Sequence, residues 1–301
     1  MKPYIYGVDI GGTAIKVGLF ASGGQLMDRW ELPTRTAEHG GAILPDLARW
    51  IRNGPVPTGQ LEGVGVGVPG PVLADGTVNG CVNLGWGVVP VAEHLSRLLE
   101  GVPVRVVNDA NAAALGEVWQ GAGQGRKTLI LATLGTGVGG GIVVNGTVLT
   151  GTHGSAGEIG HMQVNPAESE PCRCGKRGCL EQYASATGVV RLARQRGWTG
   201  EPTAKAVLDA ARAEDATALD VAREAGSWLG LALSHVAAVV DPELILLGGG
   251  VARAGEVLLQ PVRDQYRKSA FHGAAETPFA LAALGNDAGM YGAARLILRP
   301  W

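Results

Sequence analysis

Hydrophobic and polar positions alternate in short blocks at the start of the chain. Residues 5–9, 15–20 and 26–32 read as strands, and Gly11-Gly12-Thr13 turns the first into the second. Residues 42–52 read as a helix with Pro45 in its first turn, where a missing N–H costs nothing. Residues 63–68 read as a short buried strand. Residues 91–99 read as a helix with Val91, His94, Leu95, Leu98 and Leu99 on one face. Residues 104–108 form a strand that runs into a helix starting near Asp109, with Ala112, Leu115, Val118 and Trp119 on its buried face. A second set opens with strands at 129–134, 141–144 and 147–149, the last two joined by the hairpin signal Asn145-Gly146. Residues 150–182 read as an irregular Gly/Cys-rich stretch. Helices at 203–212 and 216–240 follow, the longer one aligning Leu229, Leu233, Val236, Ala237 and Val240. Residues 244–247 read as a strand, Gly248-Gly249-Gly250 as a turn and 255–267 as a helix. The last helix, 287–298, repeats Met290, Ala293, Ala294, Ile297 and Leu298 at helical spacing.

Two glycine-turned strand pairs thus each open a mixed α/β unit. The pattern predicts a duplicated α/β architecture with a ligand cleft between its halves. The N-terminal lobe is expected over residues 1–118, joined by the C-terminal helix 287–301. The larger lobe is expected over 119–286, carrying the loop 150–182.

Composition sharpens this picture. The chain has 48 glycines in 301 residues, about twice the usual ~7%. They cluster without a Gly-X-Y period, which means tight turns and close backbone approaches. Lys+Arg is 25 and Asp+Glu 27, a net charge of −2, which argues against a dedicated nucleic-acid binder. No apolar run approaches the ~18 residues of a membrane span. The N-terminus reaches Asp9 too early for a secretory signal, so a cytoplasmic protein is expected. Three of the four cysteines, Cys172, Cys174 and Cys179, lie within eight residues. That spacing suits a metal in a reducing compartment better than a disulfide framework.

Several clusters could carry chemistry. In Asp9-Ile10-Gly11-Gly12-Thr13-Ala14-Ile15-Lys16, adjacent glycines can point backbone N–H groups at phosphate. Asp9 could hold Mg²⁺ through water, and Thr13 could donate its hydroxyl. An ordinary Gly-Gly hairpin is the plain alternative. Thr133-Leu134-Gly135-Thr136-Gly137 opens a second such loop. Gly135, Gly137 and Gly140 match a dinucleotide fingerprint in form, as do Gly65, Gly67 and Gly70, but neither leads into a helix as that fingerprint demands. Phosphate held by hairpin glycines from two similar halves remains.

The thiolates of Cys172, Cys174 and Cys179 sit on a loop bent by Gly175 and Gly178 and can converge on Zn²⁺, which asks for a fourth ligand. His153 and His161 are nearest; His161 is preferred because Gly157-Glu158-Ile159-Gly160-His161 reads as a fixed turn presenting polar groups. Asp109 stands where a strand hands over to a helix. It either caps the helix or serves as a general base aimed into the cleft. Glu158 and Glu181 flank the cysteine cluster, and carboxylates of this kind bind polyols by pairing with adjacent hydroxyls.

Together these segments resemble the ROK family of bacterial sugar kinases, within the actin-like/hexokinase ATPase superfamily. The matching segments run from Asp9 to Leu284-Gly285-Asn286-Asp287-Ala288-Gly289 and cover nearly the whole chain. The most specific are Gly157-Glu158-Ile159-Gly160-His161 and Cys172-x-Cys174-Gly175-x-x-Gly178-Cys179-x-Glu181. The resemblance implies a two-lobed actin-like/ribonuclease-H-like ATPase fold. It implies Asp109 as the base for the sugar 6-hydroxyl, and Asn83, Asn108, Glu158, His161 and Glu181 as sugar contacts. It implies structural zinc on His161, Cys172, Cys174 and Cys179. Asp9, Gly11, Gly12, Thr13, Lys16, Thr133, Gly135, Thr136 and Gly137 would hold ATP and Mg²⁺, with Gly248, Gly249 and Gly250 on the adenosine side. The run Leu180-Glu181-Gln182-Tyr183-Ala184-Ser185-Ala186-Thr187-Gly188 resembles the glucokinase branch. The expected reaction is transfer of the ATP γ-phosphoryl to glucose, in a homodimer or homotetramer. Kinases for another hexose or N-acetylhexosamine, polyphosphate as donor, and a non-catalytic sugar sensor are the alternatives. The family's repressors carry a helix-turn-helix ahead of the first phosphate loop; with eight residues before Asp9, a DNA-binding repressor is not expected.

Overall fold

The computed structural model describes residues 2–298. Residues 299–301 of the expected C-terminal segment lie outside the described residues. The chain divides into two compact units. Unit 1 comprises residues 2–125, 141–156 and 286–298, and unit 2 comprises 126–140 and 157–285.

Unit 1 is built on a five-stranded sheet. The alternating N-terminal blocks form an antiparallel meander, β1 (Tyr4–Ile10), β2 (Ala14–Ala21) and β3 (Leu26–Pro33). Helix α1 (Ile43–Arg52) follows, with Pro45 in its first turn, and leads to β4 (Leu61–Val68), which pairs parallel to β1. Strands β5 (Thr77–Cys81) and β6 (Trp86–Pro90) form a separate hairpin. Helix α2 (Val91–Leu98) then returns the chain to β7 (Val104–Asn108), parallel to β4. The sheet order is β3-β2-β1-β4-β7. Strand side chains alternate in direction, so β1 feeds two cores. Tyr6, Val8 and Ile10 pack with Leu44, Leu47 and Ile51 of α1. Ile5 points the other way, among Phe20, Trp119, Met290 and Ala294. Helix α3 (Asp109–Gln120) follows β7 directly.

Unit 2 carries β8 (Leu129–Leu134) and the start of β9 (Val138–Val144), which turns at Asn145-Gly146 into the short antiparallel β10 (Thr147–Val148). Helices α4 (Glu181–Ala184), α5 (Ala186–Gln195), α6 (Ala204–Arg212) and α7 (Ala216–Val240) precede β11 (Leu244–Gly248). Helices α8 (Gly249–Ala252) and α9 (Glu256–Ser269) and the three-residue β12 (Phe279–Leu281) complete it. The sheet order is β10-β9-β8-β11-β12, with β8, β11 and β12 parallel. Among the described residues no helix is long and apolar enough to cross a membrane.

The last helix, α10 (Ala288–Ile297), packs on β1, β4 and α3 of unit 1. Its approach to α3 is backbone to backbone. A Cβ on Gly292 would overlap the Ala112 carbonyl, and one on Gly116 the Ala288 carbonyl. Part of the glycine excess is spent on this helix seam.

The structure departs from the sequence reading in places. The division falls after Gly125, since residue 118 lies inside α3, and residues 141–156 belong with unit 1. The β5–β6 hairpin and helices α4 and α5 were not predicted. Gly249 and Gly250 lead into the short helix α8, and Gly249 takes φ +85°, the left-handed backbone of the sharp turn between β11 and that helix.

Candidate active site

In unit 1 the first candidate phosphate loop, Gly11-Gly12-Thr13, is a tight turn. The Gly11 N–H donates to the Ala14 carbonyl at 2.9 Å. Thr34 ties the loop from outside: its hydroxyl donates to the Gly11 carbonyl at 2.7 Å and its N–H to the Thr13 carbonyl at 3.0 Å. Asp9 pairs across the sheet with Lys16, whose Nζ donates to the Asn286 carbonyl at 2.5 Å. The Asp9 carboxylate lies against α10, where a Cβ on Gly289 would stand 2.6 Å from its Oδ2. Burial, and then the charge of Asp109, push the Asp9 carboxyl up to about 7, with Lys16 opposing. A carboxylate starved of solvent beside a second carboxylate has the donor chemistry of a cation ligand.

Of the two roles open to Asp109, the helix cap falls to Asn108. Its side-chain oxygen accepts the N–H groups of Ala110 at 2.9 Å and Asn111 at 3.2 Å, and its Nδ2 donates to the Gly70 carbonyl at 3.2 Å. Asp109 is the first residue inside α3 and is exposed, with Oδ1 accepting the Ala110 N–H at 2.8 Å. Asn83 is exposed on a single turn after β5, its carbonyl 3.5 Å from where a Cβ on Gly12 would stand. Buried Trp86 holds that turn by donating its indole N–H to the Gly40 carbonyl at 3.1 Å. Unit 1 therefore brings together the first phosphate loop, Asp9, Lys16 and Asn83, and places Asp109 within electrostatic reach of Asp9.

In unit 2 the second loop, Gly135-Thr136-Gly137, joins β8 to β9. The segment from Glu181 to Thr187 grips it. The Ala186 N–H donates to the Gly135 carbonyl at 2.8 Å, the Thr187 hydroxyl to the Thr136 carbonyl at 3.1 Å, and the Val138 N–H to Glu181 Oε2 at 3.1 Å. Thr133 pairs in register with Gly248, and a Cβ on Gly249 would overlap the Leu134 carbonyl. The 248–250 segment is thus a direct neighbour of the second loop. Beside Thr136 lies a cavity of about 570 Å³, lined by Thr187, Val190, Arg191, Arg194 and Thr203 among others. The sequence reading missed Thr187 and Arg191, because the signal that would have found them is the N-terminus of α5.

The cysteine loop is also in unit 2. His161, Cys172, Cys174 and Cys179 each offer one ligand atom, and these atoms all lie within 4.8 Å of one another. Cys174 and Cys179 Sγ are 3.6 Å apart, and Cys172 Sγ is 4.0 Å from His161 Nδ1. Ligands on a tetrahedral zinc would stand about 3.5–3.8 Å apart. Burial and the neighbouring thiols push Cys179 up to about 12. Crowded thiols resist ionising together, and a divalent cation reverses that cost. The donor set, three cysteines and a histidine, fits zinc, with His161 and not His153 as the fourth member.

The cysteine loop is braced against α5. The Tyr183 hydroxyl donates to Glu168 at 2.6 Å, and Arg191 pairs with Glu168 at 2.9 Å while lying 5.0 Å from the Tyr183 ring centroid. Against its desolvation, Tyr183, the Glu170 amide and Arg191 hold the Glu168 carboxyl down to about 2. Glu158 and His161 share one turn, the His161 N–H donating to the Glu158 carbonyl at 3.1 Å. Unit 2 thus links Glu181 to the phosphate loop through Val138 and to the cysteine loop through α4.

The ROK family pattern matches residues 5–299. A glucokinase from Halalkalibacterium halodurans is 43% identical, over 97% of this chain and 94% of that one. The crystal structure of a Streptomyces griseus ROK family glucokinase in complex with glucose and AMPPNP superposes with a TM-score of 0.79 at 35% identity, over 97% of this chain and 98% of that one. That of a Thermus thermophilus ROK hexokinase gives 0.84 at 33% identity, over 97% and 96%. By sequence and by fold, this chain belongs to the ROK family.

Proposed function

We propose that the chain transfers the γ-phosphoryl group of ATP to the 6-hydroxyl of glucose. The observation that carries this reading is the division of labour at the head of α3. Asn108 caps the helix, and Asp109 stands exposed as the first residue of α3 with Oδ1 on the Ala110 N–H. Asp109 is the base that orients the attacking hydroxyl and takes its proton; phosphoryl transfer asks little more of it than position. Glu158, His161, Glu181, Asn83 and Asn108 meet the sugar. Asn108 does so with its amide alone, since its carbonyl oxygen already serves the cap. The amides of 12–13 and 136–137 face the phosphates, the Gly11 and Gly135 N–H groups being used inside their own turns, and the cavity beside Thr136 takes the rest of the nucleotide. The relative solved with glucose and AMPPNP supports both substrates.

Asp9 is the residue that would hold Mg²⁺ with the nucleotide, and the ion would neutralise phosphate charge. Zinc on His161, Cys172, Cys174 and Cys179 would fix the loop that presents His161 and leads to Glu181. Thiolate ligands need a reducing compartment, which supports a cytoplasmic enzyme. The family resemblance supports a homodimer or homotetramer, to be read by light scattering.

The test is coupled ADP release with Mg·ATP across glucose, mannose, fructose, N-acetylglucosamine and N-acetylmannosamine. Glucose is expected to give the highest kcat/KM. Preference for an acetylated sugar would keep the chemistry and overturn the substrate. ADP release with no sugar in the panel would overturn the kinase reading.

A further inference from the structure

The two substrates' binding groups in unit 2 are mechanically joined. Glu181, assigned to the sugar, uses Oε2 on the Val138 N–H at the exit of the second phosphate loop. An ionised carboxylate offers about four acceptor positions, so this bond leaves capacity for sugar hydroxyls. The same segment holds the loop at two further points, Ala186 N–H on Gly135 and Thr187 Oγ1 on Thr136. Buried Ser185 locks the segment itself, donating to the Glu181 carbonyl at 2.6 Å and accepting the Gly188 N–H at 3.0 Å. The loop's conformation and the Glu181 carboxylate therefore cannot shift independently.

We propose that residues 181–187 couple sugar and nucleotide binding, with Thr187 as a positioning residue that transmits the loop's conformation to Glu181. Sugar that fixes the carboxylate fixes the Val138 amide and pre-orders the loop for phosphate; by linkage, nucleotide tightens sugar to the same extent. This rests on the sugar-kinase reading above. Thr187 is exposed, and its hydroxyl bonds the Thr136 carbonyl and lies 3.0 Å from Ser185 Oγ, so Thr187→Val removes both contacts without emptying the core.

The experiment is calorimetric titration of the full, zinc-replete chain with glucose, alone and at saturating Mg·AMPPNP. The wild type is expected to bind glucose at least ~5-fold more tightly with the analogue present, the lower end of ordinary coupling. Thr187→Val should lose more than half of that ratio, and Thr187→Ser should restore it. A wild type with no difference, or a valine variant with the full ratio, would overturn the coupling. Failure of the wild type to bind glucose at all would instead overturn the sugar-kinase reading, and the coupling with it.

Discussion

The carboxylate of Glu181 occupies the space that a side chain on Gly137 would fill. A Cβ built on Gly137 overlaps Oε2, the same oxygen that accepts the Val138 N–H. The Gly135-Thr136-Gly137 motif and Glu181, 44 positions after Gly137, are thus one piece of structure.

Gly137→Ala tests that contact. The new methyl must drive the carboxylate off the amide, which costs a charge-assisted hydrogen bond of about 1.5–3 kcal/mol. Glucose affinity without nucleotide is expected to fall on the order of tenfold, although the substitution lies in the nucleotide loop. Titration with glucose alone measures this, and an unchanged Kd would show that Glu181 is not held where the structure puts it.

Asp9 predicts a trade between stability and activity. Its folded pKa of about 7 lies above the ordinary carboxyl value of about 3.9. The folded state therefore keeps a proton that the unfolded chain releases. The associated stability is complete below pH ~4 and is lost as pH rises through about 7. Asp9→Asn keeps a neutral group at every pH, so it should melt higher than wild type at pH 8 and nearly together with it at pH 4. Its kinase activity should be lost at both. Thermal melts across this range check the sign, and a variant that melts lower at pH 8 would contradict it.

Much of this was legible in the chain. The strand pairs around Gly11-Gly12 and Gly135-Thr136-Gly137 announce themselves by alternation broken at glycine. Helix α7 shows a long apolar stripe, and the three clustered cysteines point to a common centre. The β5–β6 hairpin lacks an Asn-Gly turn and is joined instead by a single helical turn over Val82–Leu84. Helix α5 buries only Gly188, Val189, Leu192 and Ala193, too little large apolar surface to show a period. The cap at Asn108 was hidden because Asn and Asp are comparable caps and only the side-chain geometry decides between them. The grip of Thr187 on Thr136 is a contact across 51 residues with no local pattern.

Zinc removal should loosen the sugar side of unit 2. Cys174 is the exposed member of the cluster, so Cys174→Ser removes a ligand with little loss of packing. Metal content by mass spectrometry is expected to drop from about one equivalent per chain to well below half, with a lower Tm and a raised KM for glucose. A variant with full Tm and unchanged KM would show that the loop stands without the ion.

Asp109→Asn in steady-state ADP release with Mg·ATP and glucose tests the central claim most directly. The substitution keeps the side chain's size and can still accept the Ala110 N–H, while Asn108 continues to cap the helix. Turnover is expected to fall at least about 100-fold, the usual scale for losing a general base, with the glucose Kd held within about twofold of wild type. Near-normal turnover in a variant that binds glucose normally would contradict the account.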